Sequence, residues 1–598
     1  MHLDLEGTTA LLFLKVSIDR HIILPNEHQT RLFTDEDHPL VSKSWLLKQL
    51  HSDEVQQRFK LPKLQAVLLL NRHVNSTDEA SQYIASDEAL SCDPKLMPNI
   101  EEGIQLVFDA IVSGETIAIY GDFDVDGISG AAILAETMNH IGASVITYIP
   151  HRINEGHSLN EDAITYLNSK QAKLIITVDC GTTAYKEVSF AKDLGINVVV
   201  TDHHIANESM PEGVPVVNPG LTKSRYPFKH LTGAGVALKF CEALFDKYGE
   251  KMPDYLYILA TLGTIADLGP LIGENRFIVK RGLELLKYTN HVGIKALAQK
   301  ANCNLKTVSA RDLSFTLIPR LNAAGRLDSA KISLDLLTTK DVGEAEALCN
   351  QLDQLNTNRR NLSTKAIQLA NELVTENNLA SNSAIFVYSP NWHPGVLGLI
   401  AGKLSEKYGI PGVAACQDGD NIRASARGPQ GYEILQGLLD TQLDFLKIGG
   451  HSQAAGFTLQ SSSIDIFEQQ FLIAIGAQKA ESLANKPIEY ECEITLSDVN
   501  SDNIKFLKSM EPFGQGNPSP IFLSRQLQVY ESRTVGKTDN HIKFIVEQDS
   551  NRFDAIGFGL GSRYHQLGNK IDAVFKLTEN YWAGNITIQL QIIDFISV

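Results

Sequence analysis

Short apolar, β-branched runs recur through the first half of the chain, and each ends at an acidic or histidine-bearing turn. Thr116-Ile117-Ala118-Ile119-Tyr120 leads into Gly121-Asp122-Phe123-Asp124-Val125-Asp126-Gly127. Lys173-Leu174-Ile175-Ile176-Thr177-Val178 leads into Asp179, and Ile196-Asn197-Val198-Val199-Val200 into Thr201-Asp202-His203-His204. Helical stretches lie between them, notably Ile128 to Met138 and Lys186 to Leu194, and Ser144 to Pro150 adds another strand. Alternation of this kind predicts a parallel α/β sheet with right-handed crossovers.

The pattern then changes three times. Tyr255 to Ile265 is an apolar segment ending at Ala266-Asp267, and helical segments continue to Pro319-Arg320-Leu321-Asn322-Ala323-Ala324-Gly325-Arg326. Val342 to Asn377 has no Gly or Pro beyond Gly343 and reads as a long polar helix, a connector rather than a core element. A second α/β unit starts at Ser383 to Tyr388 and runs to about Ala480. Beyond Pro487 strands dominate, at Glu489 to Leu496, Leu527 to Val535, His541 to Val546, Ile571 to Leu577 and Ile586 to Ile593. Five strands in so short a stretch predict a small barrel of the oligonucleotide-binding kind. The expected organisation is an extension at 1–60 with no assigned role and a first α/β domain at 61–335. A connector helix follows at 336–380, then a second α/β domain at 381–482 and the β-barrel at 483–598.

Composition narrows the class. At 598 residues the chain exceeds the roughly 250–300 residues at which one core saturates. With 43% hydrophobic and 21% charged residues it has the make-up of an ordinary globular protein, and no run reaches the ~18 apolar residues of a membrane helix. The Ala10 to Leu14 run lacks a basic leader and a cleavage site, so no signal peptide is expected. Seven scattered cysteines without a C-x-x-C pair point to reduced thiols in the cytoplasm. A net charge of −17 argues against indiscriminate coating of duplex nucleic acid, while leaving room for local phosphate contacts.

The turns carry the chemistry. In an extended segment Asp122, Asp124 and Asp126 would share one face, and three such carboxylates repel unless a hard cation neutralises them. A calcium loop of the helix–loop–helix type needs Glu at its twelfth position, where this chain has Ile133, and a helix rather than a strand before it. His203 and His204 would be ordinary histidines if they stood alone. Arriving with Asp179 at successive strand ends, they suggest one imidazole on metal and one near a phosphate, or a shared role at a bend. Mixed Asp/His ligation favours Mn²⁺ or Mg²⁺, and two such ions suit in-line phosphoryl displacement.

These motifs, with Val178-Asp179-Cys180-Gly181, Ile265-Ala266-Asp267, Trp392-His393-Pro394-Gly395-Val396, Ser425-Ala426-Arg427 and Gly449-Gly450-His451, resemble the DHH phosphoesterase superfamily. Within it they resemble the RecJ family of single-strand-specific exonucleases, in order from about Leu61 to the C-terminus. The resemblance implies two Mn²⁺ or Mg²⁺ ions held by Asp124, Asp126, Asp179 and Asp267, with His203 and His204 completing the site and Asp122 in support. It implies a grip on the 5′ phosphate by Arg320 or Arg326, Ser425 and Arg427, joined by Arg152. Asn322, His393, Gly449, Gly450 and His451 would meet substrate from the facing walls of a cleft. The chain departs from the family at Glu155-Gly156-His157-Ser158-Leu159, where an aromatic usually stands and His157 could stack in its place.

The resulting expectation is a monomeric, cytoplasmic, metal-dependent 5′→3′ exonuclease that releases mononucleotides from single-stranded DNA in recombination and repair. A single-strand-binding protein and a helicase are its expected partners, and no membrane is. Phe513, Tyr530, His541, Lys543 and Phe544 are the barrel residues expected to meet the strand. The alternative is a phosphodiesterase for nano-RNA or cyclic dinucleotides, which are typically shorter and lack the barrel. A non-catalytic relative would have lost the carboxylates, and a pyrophosphatase would carry a different second domain.

Overall fold

The computed structural model describes residues 44–51, 59–206, 209–478, 487–582 and 585–598. Most of the 1–60 extension, to which no role was assigned, lies outside the described residues. Its strand β1 (Trp45–Leu47) pairs in parallel with residues 488–490, and Trp45 donates from Nε1 to Asp594 at 2.8 Å.

The apolar runs form β2 (Thr116–Gly121), β3 (Ser144–Tyr148), β4 (Ala172–Val178), β5 (Asn197–Thr201) and β6 (Val216–Val217). All pair in parallel, in the order β3-β2-β4-β5-β6. Side chains of β2 alternate between two cores: Ile117 and Ile119 face one, Ala118 and Tyr120 the other. The helix Val125–His140, rich in small residues, packs on the first face with helices Gly233–Tyr248 and Leu256–Ala266. Helices Glu161–Ser169 and Tyr185–Asp193 cover the second. The connection after β2 leads outward to β3, whereas that after β4 leads the other way to β5. Their carboxyl ends therefore diverge at a topological switch point, where crevices form in open α/β sheets.

The helix Val342–Glu376 spans 35 residues, about 52 Å at 1.5 Å per residue. It is a connector, as its pattern suggested, but also a core element. Ala345, Cys349 and Leu352 sit in the first of those cores, while Ala366, Ala370 and Val374 pack into a separate core with Ile385, Val387 and Ile400. Small residues on its buried stripe made the pattern look polar. The second sheet comprises β7 (Ile385–Tyr388), β8 (Gly412–Asp418), β9 (Asn421–Arg427), β10 (Lys447–His451) and β11 (Ala454–Gln460), in the order β10-β11-β9-β8-β7. Only β7 and β8 pair in parallel.

The C-terminal strands are β12 (Ile488–Tyr490), β13 (Cys492–Glu493), β14 (Phe522–Val535), β15 (His541–Gln548), β16 (Asn551–Gly557), β17 (Lys570–Trp582) and β18 (Asn585–Ser597). Pairing of β14 with both β15 and β17 closes a five-stranded barrel. β16 was not anticipated from sequence, because Asn551-Arg552-Phe553-Asp554 shows no apolar alternation. Leu64 and Leu68, on the helix Lys63–Leu70, enter the barrel core beside Phe522, Phe544 and Phe575. Residue 61 is thus no boundary in packing: the segment after it belongs to the barrel. Phe544, expected to meet the strand, is 1% exposed and part of that core, and Phe513 is packed against it. Tyr530 stays exposed, with the Arg552 guanidinium 5.4 Å from its ring.

Candidate metal centre

The aspartates after β2 do not form one extended run. β2 ends at Gly121, the chain bends, and a helix starts at Val125. Asp124 is the helix cap, its Oδ1 accepting from the amides of Asp126 (2.9 Å) and Gly127 (3.3 Å). Asp126 lies in the first helical turn and is 1% exposed. Its oxygens accept from the first amides of the 233–248 helix, Gly233 at 2.6 Å and Ala234 at 2.9 Å. That helix start can approach only as glycine: a Cβ on Gly233 would lie 2.5 Å from Asp179 Cβ. Asp179 follows β4 with φ 62°, a left-handed conformation that Asp tolerates better than most residues.

Bending after β5 puts both imidazoles on the same side, their rings 4.6 Å apart. His203 Nε2 is 3.0 Å from Asp179 Oδ1, 3.8 Å from Asp126 Oδ2 and 3.9 Å from Asp267 Oδ2. Asp267 comes from the end of a helix, Leu256–Ala266, rather than a strand. His204 Nδ1 is bonded to Asp202 Oδ1 at 2.8 Å. Asp202, a role missed in sequence because its neighbours drew the assignment, is buried and also accepts from the amides of Thr182, His203 and His204. It is the orienting carboxylate behind the histidine pair.

Three overlapping sets of donors lie within 4.8 Å of one another: Asp122, Asp124 and Asp179; Asp126, His203 and Asp267; and Asp179, Asp202, His203 and His204. The chemistry of the set fits hard divalent cations with some imidazole, and Asp122 Oδ1 is a buried acceptor without a hydrogen-bond partner. The charges agree. Burial, then Asp122 and Asp126, raise Asp124 to about 6; burial, then Asp126 and Asp124, raise Asp267 to about 8. Asp179 is raised by burial and by the same carboxylates. Burial works against charge on His204, but the bond and charge of Asp202 outweigh it and lift the ring to about 9. Burial lowers His203.

Two expected results follow from this geometry. Raised carboxylates must lose protons to take up a cation, so Mn²⁺ binding should release protons, and affinity should fall as pH drops from about 8 towards 6. Calorimetry in buffers of different ionisation enthalpy reads the proton release, and buffer-independent heats would refute it. Asp202→Asn should weaken Mn²⁺ binding about 10- to 100-fold by releasing the imidazoles; an unchanged titration would remove Asp202 from that role.

Beside the carboxylates stands a group of guanidiniums. Burial, then Arg152, Arg359 and Arg427, lower Arg326 to about 9, with Asp124 opposing. Arg152 sits 4.7 Å over the Phe123 ring, close to Asp122 and Asp124. Arg427 donates from Nη1 to Ser425 Oγ at 2.9 Å. Arg359 was missed, since the long helix offered no motif to flag it; its Nε is a buried donor without an acceptor. Arg320 is committed elsewhere: Nε donates to Asp353 at 3.0 Å and Nη1 to the Thr316 carbonyl at 2.8 Å, tying its helix to the long one. Asn322 Oδ1 accepts from the Val125 amide at 3.3 Å and so steadies the aspartate turn.

The second domain closes over this region. The His451 ring lies 6.1 Å from His204, near parallel, while Gly449 and Gly450 pair with Gly456 and Ala455 on β11. His393 Nδ1 accepts from the Gly395 amide at 3.0 Å, capping its own turn. A Cβ on Gly395 would sit 1.9 Å from the Arg326 carbonyl, so the domains meet there backbone to backbone. His157 packs 4.4 Å from the Phe123 ring, with Nδ1 3.5 Å from Asp122.

Comparison with known proteins accords with this arrangement. Residues 116–264 match the DHH family N-terminal domain, 381–475 the DHHA1 domain and 490–594 the RecJ OB domain. The single-stranded-DNA-specific exonuclease RecJ of Bacillus subtilis is 33% identical, over 92% of this chain and 70% of its own length. That of Haemophilus influenzae is 32% identical, over 88% of this chain and 94% of its own. The crystal structure of RecJ in complex with Mn²⁺ from Thermus thermophilus superposes with a TM-score of 0.81 at 27% identity, covering 93% of this chain and 80% of that one. A Mg²⁺ complex from the same organism gives 0.73 at 26% identity, over 93% and 78%. With three domains matched in order and relatives above 30% identity over most of their lengths, the chain belongs to the RecJ family.

Proposed function

We propose that this chain is a metal-dependent exonuclease that removes 5′-mononucleotides from single-stranded DNA. The observation that carries the reading is adjacency: a carboxylate–imidazole cluster suited to two divalent cations borders four arginines, none of which has a carboxylate hydrogen-bond partner among the described residues. Arg152, Arg326, Arg359 and Arg427 hold the terminal phosphate, with Ser425 fixing the Arg427 fork. Held there, the first linkage of the strand reaches the metal centre, which gives 5′ polarity. Asp122, Asp124, Asp126, Asp179, Asp267 and His203 hold the ions, Mn²⁺ or Mg²⁺. When bound, these supply Lewis acidity for phosphodiester hydrolysis.

The protein's own groups do the rest. Water adds to phosphorus as the P–O3′ bond breaks, leaving a 3′-hydroxyl on the nucleotide and a 5′-phosphate on the shortened strand. His204, with Nδ1 tied to Asp202, has Nε2 free to hold a proton near that phosphate, and His451 faces it from the second domain. His393, Gly449 and Gly450 line the opposite wall. Tyr530, with Arg552 over its ring, offers a stacking platform for incoming strand.

The seven free cysteines support a cytoplasmic setting, and among the described residues no helix is long and apolar enough to cross a membrane. We place the chain in recombination and repair as a monomer fed by a helicase and a single-strand-binding protein. The test uses 5′- and 3′-labelled single strands, duplex and a diadenylate, with Mn²⁺, beside Asp124→Ala. Early release of the 5′ label as mononucleotide supports the reading. Cleavage of the dinucleotide alone would replace it with the oligonucleotide phosphodiesterase alternative.

A further inference from the structure

Asp267 ends the 256–266 helix, and the chain turns through Leu268, at φ 58°, to Gly269. A Cβ on Gly269 would come 2.6 Å from Thr232 Cγ2. Thr232 caps the 233–248 helix, whose first two amides hold Asp126. Asn275 secures the same corner, donating to the His230 carbonyl at 2.7 Å. The segment 267–276 therefore braces two carboxylates of the metal centre.

The barrel grips that segment. The Leu271 amide donates to the Gln515 carbonyl at 2.7 Å. Arg276, 1% exposed, donates to the loop carbonyls of Glu511 (2.9 Å), Pro512 (3.4 Å) and Ser509 (3.5 Å). Outside that loop it donates to the end of the helix Thr77–Ala85, at the Tyr83 carbonyl (3.2 Å) and the capping Ser86 Oγ (2.7 Å). A Cβ on Gly514 would stand 2.7 Å from Leu271 Cδ1. The loop is stiff in itself: Asn517 donates to the carbonyls of Met510 (3.0 Å) and Pro512 (2.8 Å) and accepts from Arg72 and Tyr83. A mere tether for a strand-binding module needs no buried guanidinium, whose desolvation is costly unless its donors are satisfied.

We propose that barrel loop 509–517 is a positioning element of the metal centre. Acting through Leu271 and Arg276, it fixes where Asp267 and Asp126 stand, so metal affinity depends on a seated barrel. This rests on Asp126 and Asp267 being metal ligands, as read above.

The test uses the full chain. Gly514→Val pushes the loop off Leu271, and Arg276→Lys keeps the charge but removes the fork. Mn²⁺ affinity is read by electron paramagnetic resonance without DNA, and kcat and KM on a 5′-phosphorylated oligonucleotide. Both variants should raise the Mn²⁺ dissociation constant about 10-fold or more and lower kcat, with excess Mn²⁺ restoring much of it and KM within about twofold. Tyr530→Ala should do the reverse, raising KM at wild-type Mn²⁺ affinity. Circular dichroism and a cooperative melt check folding; if valine prevents it, Gly514→Ala carries the same intrusion in milder form and decides. Wild-type Mn²⁺ affinity in the folded variants, or an effect confined to KM, would overturn the proposal. A wild-type chain that binds no Mn²⁺ would instead overturn the metal reading beneath it.

Discussion

Asp179→Asn is expected to lower kcat on single-stranded DNA by roughly 10³- to 10⁴-fold, the scale on which one member of a catalytic unit is lost. Asp179 belongs both to the donor set with Asp122 and Asp124 and to the set with His203, so in the proposed two-ion site it would be shared by both positions. Asparagine keeps its shape and tolerates its left-handed backbone while removing the charge. Bound Mn²⁺ should fall from two ions to at most one. The metal-free stability should move the other way. The folded protein raises the Asp179 carboxyl, so its ionised form destabilises the fold as pH rises above the usual carboxylate range. The variant should therefore melt higher than wild type in chelator at neutral pH. Two ions still bound, or full activity, would sink the assignment.

Arg326→Met should abolish the preference for a phosphorylated 5′ end. A hydrogen bond to a charged group contributes about 1.5–3 kcal/mol, so KM for a 5′-phosphorylated strand should rise roughly 10- to 150-fold. KM for a 5′-hydroxyl strand should change far less. Arg326 is central because burial, and then Arg152, Arg359 and Arg427, depress it, so an anion there would offset both its desolvation and several repulsions. Equal loss on both strands would mean that Arg326 supports the fold instead. Wild-type discrimination in the variant would move the phosphate site elsewhere.

The strand-end aspartates and histidines were legible because a parallel sheet forces its loops to one edge, so β-branched runs announce where polar turns will gather. Asp267 was legible only through its motif, since it comes from a helix. The arginine group was half legible. Arg326 and Arg427 belong to recognisable motifs, one near the end of a helix and one at the end of β9, and Arg152 follows a strand. Arg359 lies on a helix whose buried stripe is made mostly of small residues, and only packing shows which side faces the site. Arg320 looked equivalent to Arg326, six residues away, until Asp353 claimed it. β16 escaped because it buries little beyond Ala555 and Gly557, too few to leave an alternating trace. The docking of Leu64 and Leu68 into a barrel more than 400 residues away has no local signature at all.

The arginine group also bears on turnover. If the guanidiniums hold the 5′ phosphate as proposed, each cut would leave the freed nucleotide carrying that phosphate while the next one waits at the metal centre. The shortened strand can advance only after that nucleotide departs. Tight recognition of the end and quick release of product thus draw on the same contacts in opposite directions. A buried guanidinium held at about 9 is a compromise in that sense: charged at neutral pH, yet crowded by neighbours of its own sign.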